Sequence, residues 1–151
     1  MLQDAEIDYF VFPNFPYEIQ PRKMKNELTC DNAYQKFKTE FKDDIAFFKE
    51  KESETGVDDT DGTYIQFEMI VVPYLYHLVD IKDEAKIKEC FDFFDKMSVS
   101  FDKELSAVVQ FSILEDVVSN KDYLSKLKIY FTEEMKTYIP YLQSYINFEY
   151  W

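Results

Sequence analysis

A chain of 151 residues suits one domain and is long enough to bury a core without disulfide or metal staples. Its 46% hydrophobic and 19% aromatic content excludes a disordered composition, while two glycines and five prolines are too few for a many-stranded fold with tight turns. Thirty acids against 17 bases leave a net charge of −13, which disfavours binding to nucleic acid or to an anionic membrane and favours either a basic partner or plain solubility.

The first 28 residues stand apart. They hold three of the five prolines, Pro13, Pro16 and Pro21, set between aromatic and β-branched residues. Each proline pushes its predecessor toward extended backbone and blocks a continuous helix. The expectation over 1–28 is an extended arm, with room for one short strand at 8–12, either laid across the body by its aromatics or ordered by a partner. The opening residues carry acids where a secretory leader carries bases.

A single helical domain is expected over 29–151. Asp31 or Asn32 can cap a first amphipathic helix running to about residue 50, with Tyr34, Phe37, Phe41, Ile45 and Phe48 at spacings of three and four. Residues 51–62, KESETGVDDTDG, form a polar link in which Glu52, Glu54, Asp58, Asp59 and Asp61 follow Lys51 with no further base. This link is either a solvated loop or an acidic hook for a basic partner. It is not a calcium loop, because Glu68 falls too near to close the twelve-residue ligand pattern.

From Thr63 the chain turns strongly apolar. Asp61 or Thr63 can cap the helix, and Pro73 should kink it by removing one ladder hydrogen bond. The longest apolar run, 69–78, is interrupted by Pro73 and His77 and is too short to span a bilayer. An amphipathic helix over 82–98 follows, with Ile87, Cys90, Phe91 and Phe94 on one face. The next segment, a central helix over 101–119, is apolar on nearly every side, and such a helix must be wrapped by others. Ser100 is its natural cap and Asn120 its stop. Thr132 caps a last helix, with Glu133 and Glu134 in the dipole-favoured first turn. Along it Tyr138, Tyr141 and Tyr145 share one face, and Ile139, Leu142 and Ile146 the adjacent one. VPYLYHL (72–78) and IPYLQSY (139–145) echo one another, as stacked helix pairs in a short α-solenoid would. The fold class expected is therefore all-α, five to six helices as a bundle or as solenoid-like pairs around the central helix.

Little chemistry is legible. His77 is the only histidine, so no His-rich metal site can form, and the residue reads as a core-edge histidine bonded to a backbone carbonyl. Cys30 and Cys90 are far apart, without CxxC spacing or basic neighbours. They read as small buried hydrophobes in a reduced, cytoplasmic protein, although one disulfide stays open. No phosphate-cradling glycine loop, zinc-protease helix or nucleophile elbow is present. Glu68, Glu115 and Asp116 are the only carboxylates from which a hydrolase could be built. Adjacent residues on a helix diverge by about 100°, so Glu115 and Asp116 should not share a substrate. No enzyme, cofactor or metal is expected. Binding remains, through Glu52, Glu54, Asp58, Asp59 and Asp61 of the link and through the Tyr138, Tyr141 and Tyr145 face. The opposing reading is that these tyrosines face the core and the acids only solubilise.

Three stretches carry a family resemblance: FEMIVVPYLYHLVD (67–80), IKECFDFFDKM (87–97) and VVQFSILEDVVSN (108–120), with its glutamate after Ser-Ile-Leu. Together with the ending Tyr150-Trp151, they resemble small acidic all-helical bacterial immunity proteins of polymorphic-toxin and contact-dependent-inhibition systems. The likeness covers roughly residues 36–151, and the proline-rich arm departs from it. It implies a stoichiometric inhibitor that binds a cognate protein toxin in the cytoplasm, with a basic nuclease as the toxin class. No catalytic residue carries over, and Glu115 falls at the position of a structural glutamate. Two rivals share the same charge. One is a phage-type inhibitor or nucleic-acid mimic, disfavoured because the carboxylates cluster instead of running along one face; the other is a helical scaffold with no inhibitory role.

Overall fold

The computed structural model describes residues 27–150, and every regular element among them is helical. Of the arm expected over 1–28, residues 1–26, with the strand expected at 8–12, lie outside the described part.

The segment expected as one helix to residue 50 is two. Helix α1 (Ala33–Glu40) ends at Phe41, the 3-10 turn Lys42–Asp44 follows, and α2 (Ile45–Thr55) runs on to Gly56, whose φ of 78° supplies the left-handed cap. The break places Asp44 within hydrogen-bond reach of both Tyr74 and Lys86. It also removes Ile45 from the apolar stripe, leaving that side chain 40% exposed while Tyr34, Phe37, Phe41 and Phe48 stay buried. Asn32 occupies the cap position of α1, but its side chain accepts from the Thr29 amide instead of from the helix.

Helix α3 is continuous, with α-helical ends Thr63–Gln66 and Val72–Asp80 around a π-helical turn, Phe67–Val71. Pro73 therefore stands in the first turn after the π segment. There the widened ladder absorbs the missing N–H, which is how the helix continues past a residue expected to kink it. Gly62, not Asp61 or Thr63, holds the cap position. Helix α4 (Glu84–Ser98) begins at Asp83, which caps the Lys86 amide, and it buries Ile87, Cys90, Phe91 and Phe94 as their spacing requires.

The central helix α5 starts at Glu104, later than expected. It too carries a π turn, Val109–Leu114, between Glu104–Val108 and Glu115–Val118. Ser100 does not cap it. The buried Ser100 hydroxyl accepts from the Asp102 amide and donates to the Leu28 carbonyl, while Asp102 accepts from the Cys30 amide. The turn before α5 thus ties down residues 28–30, and the Thr63 hydroxyl adds a bond to the Cys30 carbonyl. No residue of the second π segment accounts for it as Pro73 accounts for the first.

Helix α6 (Lys121–Leu127) and a 3-10 turn, Lys128–Tyr130, precede α7 (Glu133–Lys136) and α8 (Ile139–Gln143). Thr132 caps α7 through the Met135 amide as its sequence position foretells. The single last helix of the sequence reading is broken at residues 137–138, with Pro140 in the opening turn of α8. Both members of the Val/Ile-Pro-Tyr-Leu echo thus open an α-helical stretch, the first after the π turn inside α3 and the second after the break at 137–138.

One hydrophobic core joins these elements. Its aromatic centre is Phe37, fully buried, whose ring meets those of Phe48, Phe67, Tyr74, Phe93 and Phe94 at 5.2–6.1 Å between centroids. Most of these contacts are edge-to-face, the arrangement favoured by ring quadrupoles. The two π turns pack against each other, so the widened parts of α3 and α5 share one interface. The α5 residues Leu105, Val108, Val109, Ile113, Leu114 and Val117 are all fully buried, which fits a helix wrapped by its neighbours. Among the described residues, no helix is long and apolar enough to cross a membrane.

Candidate protein-binding face

Among the described residues, six tyrosines are linked to acids in the structure. With few cations available, tyrosine hydroxyls act as donors to carboxylates. Tyr34 donates to Glu52 at 2.7 Å, Tyr64 to Glu104 at 3.1 Å, Tyr76 to Asp116 at 2.6 Å and Tyr145 to Glu115 at 2.6 Å. Tyr74 donates to Asp44, and Tyr123 to Asp80. Such charge-assisted bonds fix the carboxylates in place without neutralising them. Burial, then the carboxylate partner, raises the hydroxyl pKa of Tyr34, Tyr74 and Tyr76, and pushes that of Tyr145 up to about 12.

The acidic link is less free than its composition implies. Glu52 is mostly buried and accepts from Tyr34 and from Lys38 at 2.9 Å; Lys38 also reaches Asp59 at 2.8 Å and sits 4.4 Å from the Tyr34 ring centre. Asp61 accepts from the Asp58 amide. Asp58 accepts from the hydroxyl and amide of Thr60, which hold its carboxyl below the ordinary value. Among the described residues, Glu54 pairs with Lys51 alone, three residues away. Of these acids, Glu54, Asp58, Asp59 and Asp61 face solvent, and all but Glu54 also hold the loop together.

The tyrosine face of the last segment divides. Tyr138 is half-buried against the core, while Tyr141 and Tyr145 are exposed. Their rings lie 5.5 Å apart, and Tyr141 lies 6.4 Å from Phe111 of α5. Phe111 is itself exposed, as are Tyr64, Ile65 and Met69 of α3. These six apolar side chains are between 37% and 56% exposed. The Ser112 hydroxyl donates to the Tyr64 carbonyl and so seams α5 to α3 along this surface.

Between them opens a cleft of about 300 Å³ lined by Glu68, Phe111, Ser112, Glu115, Asp116, Ser119 and Asn120. Glu115 and Asp116 both line it, although adjacent residues on a helix point apart. They do diverge, Glu115 toward Tyr145 of the chain beyond α8 and Asp116 toward Tyr76 of α3, yet both stand on the walls of one cleft. Glu68 joins them because the two π turns meet at this level. The residues that sequence reasoning left out of the binding set are thus Tyr64, Ile65, Met69 and Phe111, together with Glu68, Glu104, Glu115 and Asp116. Apolar residues on the wrong side of an otherwise buried stripe were the available signal.

No group of His, Cys, Asp and Glu among the described residues has the geometry to hold a metal. His77 is exposed and stacks on the Phe47 ring at 5.0 Å, which replaces the expected core-edge position. Both cysteines are free. Cys90 is buried and Cys30 partly so, and desolvation is the main cause of the raised pKa of each thiol.

The chain belongs to the family described as domain of unknown function DUF7674, whose model matches residues 32–147. The match spans α1 to α8 and stops just beyond the last helix. It brings no activity with it. No curated protein and no solved structure matches the chain.

Proposed function

We propose that the protein is an immunity or antitoxin-type binding protein, which neutralises a basic protein toxin by forming a one-to-one complex. The observation that carries this reading is the joint face of α3, α5 and α8. It combines exposed Phe111, Tyr141, Tyr145, Ile65 and Met69 with Glu68, Glu104, Glu115 and Asp116. Aromatic anchors surrounded by charge are the composition of a protein-binding hot spot. The net charge of −13 steers a cationic partner toward such a face, and the aromatic anchors then set the residence time. The acidic link serves in steering more than in contact, because most of its carboxylates are already bonded within the loop or to α1.

The test is co-purification from the native cell at low and at moderate salt, followed by co-expression of the captured chain with this protein. A basic polypeptide is expected whose toxicity disappears at equimolar expression. Its capture should be lost with the double substitution Phe111→Ala and Tyr141→Ala, both at exposed positions that leave the core intact. A captured chain whose toxicity is untouched by this protein overturns the inhibitor reading, and so does capture that the double substitution leaves unchanged.

A further inference from the structure

We propose that a groove between α1 and α4 receives the Phe15-Pro16-Tyr17 segment of this chain's own N-terminal arm. The proposal does not rest on the inhibitor reading, whose face belongs to α3, α5 and α8. Two hollows meet where the described chain begins. One, of about 470 Å³, is lined by Leu28, Lys36, Thr39, Glu40, Phe93 and Lys96; the other, of about 190 Å³, by Glu27, Leu28, Lys96 and Val99. They share Leu28 and Lys96 and so make one groove. Bonds from Ser100, Asp102 and Thr63 pin residues 28–30 to the body, and Glu27 itself stands on the groove wall. The 26 residues before Glu27 therefore join the body at the lip of this groove.

Apolar surface and charge both match that occupant. Val99 on the groove wall and Phe101 just beyond it are 65% and 60% exposed, an apolar ledge beside the point of entry. Lys36 and Lys96 have no ion pair among the described residues. In a chain of net charge −13, the segment 1–21 carries four acids and no base, and Glu18 directly follows Tyr17. Phe15 and Tyr17 supply rings for the ledge, and Glu18 a carboxylate for the two lysines. Arg22, Lys23 and Lys25 come next in the chain, and Glu27 and Glu40 stand on the groove to meet them. Reach is ample: residues 18–26 extend to about 30 Å, whereas the α1 wall from Lys36 to Glu40 is about 6 Å long. A short tether also holds its segment at an effective concentration of order 1 mM, so a contact too weak to form between separate molecules suffices here. Pro16 lowers the ordering cost by fixing its own φ.

The test digests the intact chain and a free peptide of residues 1–26 with chymotrypsin, following cleavage after Tyr17 by mass spectrometry. Cleavage in the intact chain is expected to be at least about tenfold slower than in the peptide, the protection a contact tethered at millimolar effective concentration can give. Lys36→Glu combined with Lys96→Glu should restore at least about threefold of that rate, the range of two solvated ion pairs. Far-UV circular dichroism of the variant checks that the body is unchanged. In NMR spectra of the unaltered protein, ring protons of Phe15 and Tyr17 should show Overhauser contacts to methyl groups of Leu28 and Val99, a readout that needs no variant. Equal cleavage rates in chain and peptide overturn the inference, as does protection that a folded double variant retains in full. Overhauser contacts to Ile65 and Met69 in place of Leu28 and Val99 overturn it by moving the arm to the α3–α5 face. Protection that grows with protein concentration overturns it by assigning the groove to the arm of a second copy. None of these measurements involves a toxin, so the inhibitor reading and this one fail separately.

Discussion

Tyr74 offers the most exacting check on the tyrosine–carboxylate economy of this protein. Its ring is fully buried and packs on Phe37, Phe41, Phe47 and Phe48, while its hydroxyl donates to Asp44, which also receives Lys86 at 2.9 Å. Tyr74→Phe keeps the ring packing and removes only the hydroxyl. A hydrogen bond to a charged group contributes about 1.5–3 kcal/mol. Asp44 retains Lys86 and some access to water, so the lower end applies and the expected loss is about 1.5 kcal/mol. For a chain of this size that corresponds to roughly 3–6 °C in Tm.

The pH dependence of that loss is more telling than its size. Desolvation opposes ionisation of Asp44, but the bonds from Tyr74 and Lys86 outweigh it and hold the carboxyl below its ordinary 3.8. A lowered carboxylate pKa contributes stability that is present above the unfolded value and disappears as pH falls through the folded one. The gap between parent and Tyr74→Phe should therefore be widest near neutrality and narrow below about pH 4. Urea unfolding followed by far-UV circular dichroism at several pH values reads both quantities. A loss under about 0.5 kcal/mol near pH 7 refutes the argument, as does a gap that stays constant into acid.

Other outcomes follow from the same contacts. Tyr34, Tyr74 and Tyr76 have folded pKa values above the ordinary 10, so their contribution is intact below pH 10 and lost as pH rises further; the urea midpoint should drop steeply above that point, ahead of what Tyr34→Phe with Tyr76→Phe shows. Lys82 is exposed and sits at a φ of 61°, so Lys82→Gly should raise stability by about 0.5 kcal/mol, the relief of a left-handed residue less the added chain entropy of glycine. A lowered urea midpoint would contradict that backbone conformation. Cys30 should react with a thiol reagent in the folded protein while Cys90 reacts only at the rate of opening, a difference that mass spectrometry of labelled peptides resolves. Equal labelling rates would place Cys90 outside the core.

The helical class and most of the core were legible because buried residues recur at helical spacing. Ile87, Cys90, Phe91 and Phe94 lie where their pattern put them, and Thr132 caps where a threonine before two glutamates should. What escaped was decided by long-range partners. The turn at Lys42–Asp44 is set by Asp44 meeting Tyr74 and Lys86, some thirty and forty residues on, and nothing local announces it. Ser100 had the right chemistry for a helix cap, but its hydroxyl and Asp102 were taken by the incoming strand of chain at Leu28 and Cys30. The Tyr138, Tyr141 and Tyr145 face divided because the helix beneath it is broken at 137–138, which the periodic pattern alone could not register.

The cleft illustrates a more general obstacle. A projection at about 100° per residue assumes i→i−4 bonding throughout, and both α3 and α5 abandon it in the same layer of the fold. Each π turn adds a residue to one turn and rotates everything after it relative to the wheel. Glu68 lies inside the first π turn and Glu115 directly follows the second, so a regular wheel drawn from either helix start does not hold at these two positions. Pro73 explains the first turn, since a ladder already opened to i→i+5 loses less to a missing donor. The second turn has no proline and lies in the most buried helix of the fold, against the first. π turns are frequent at functional sites, and here the pair delivers three carboxylates and an exposed phenylalanine to one opening in the surface. A tightly packed interior would be served by regular ladders. Two irregular ones meet beneath an acidic, aromatic cleft, so they decide which side chains line that opening whatever they cost the packing below it.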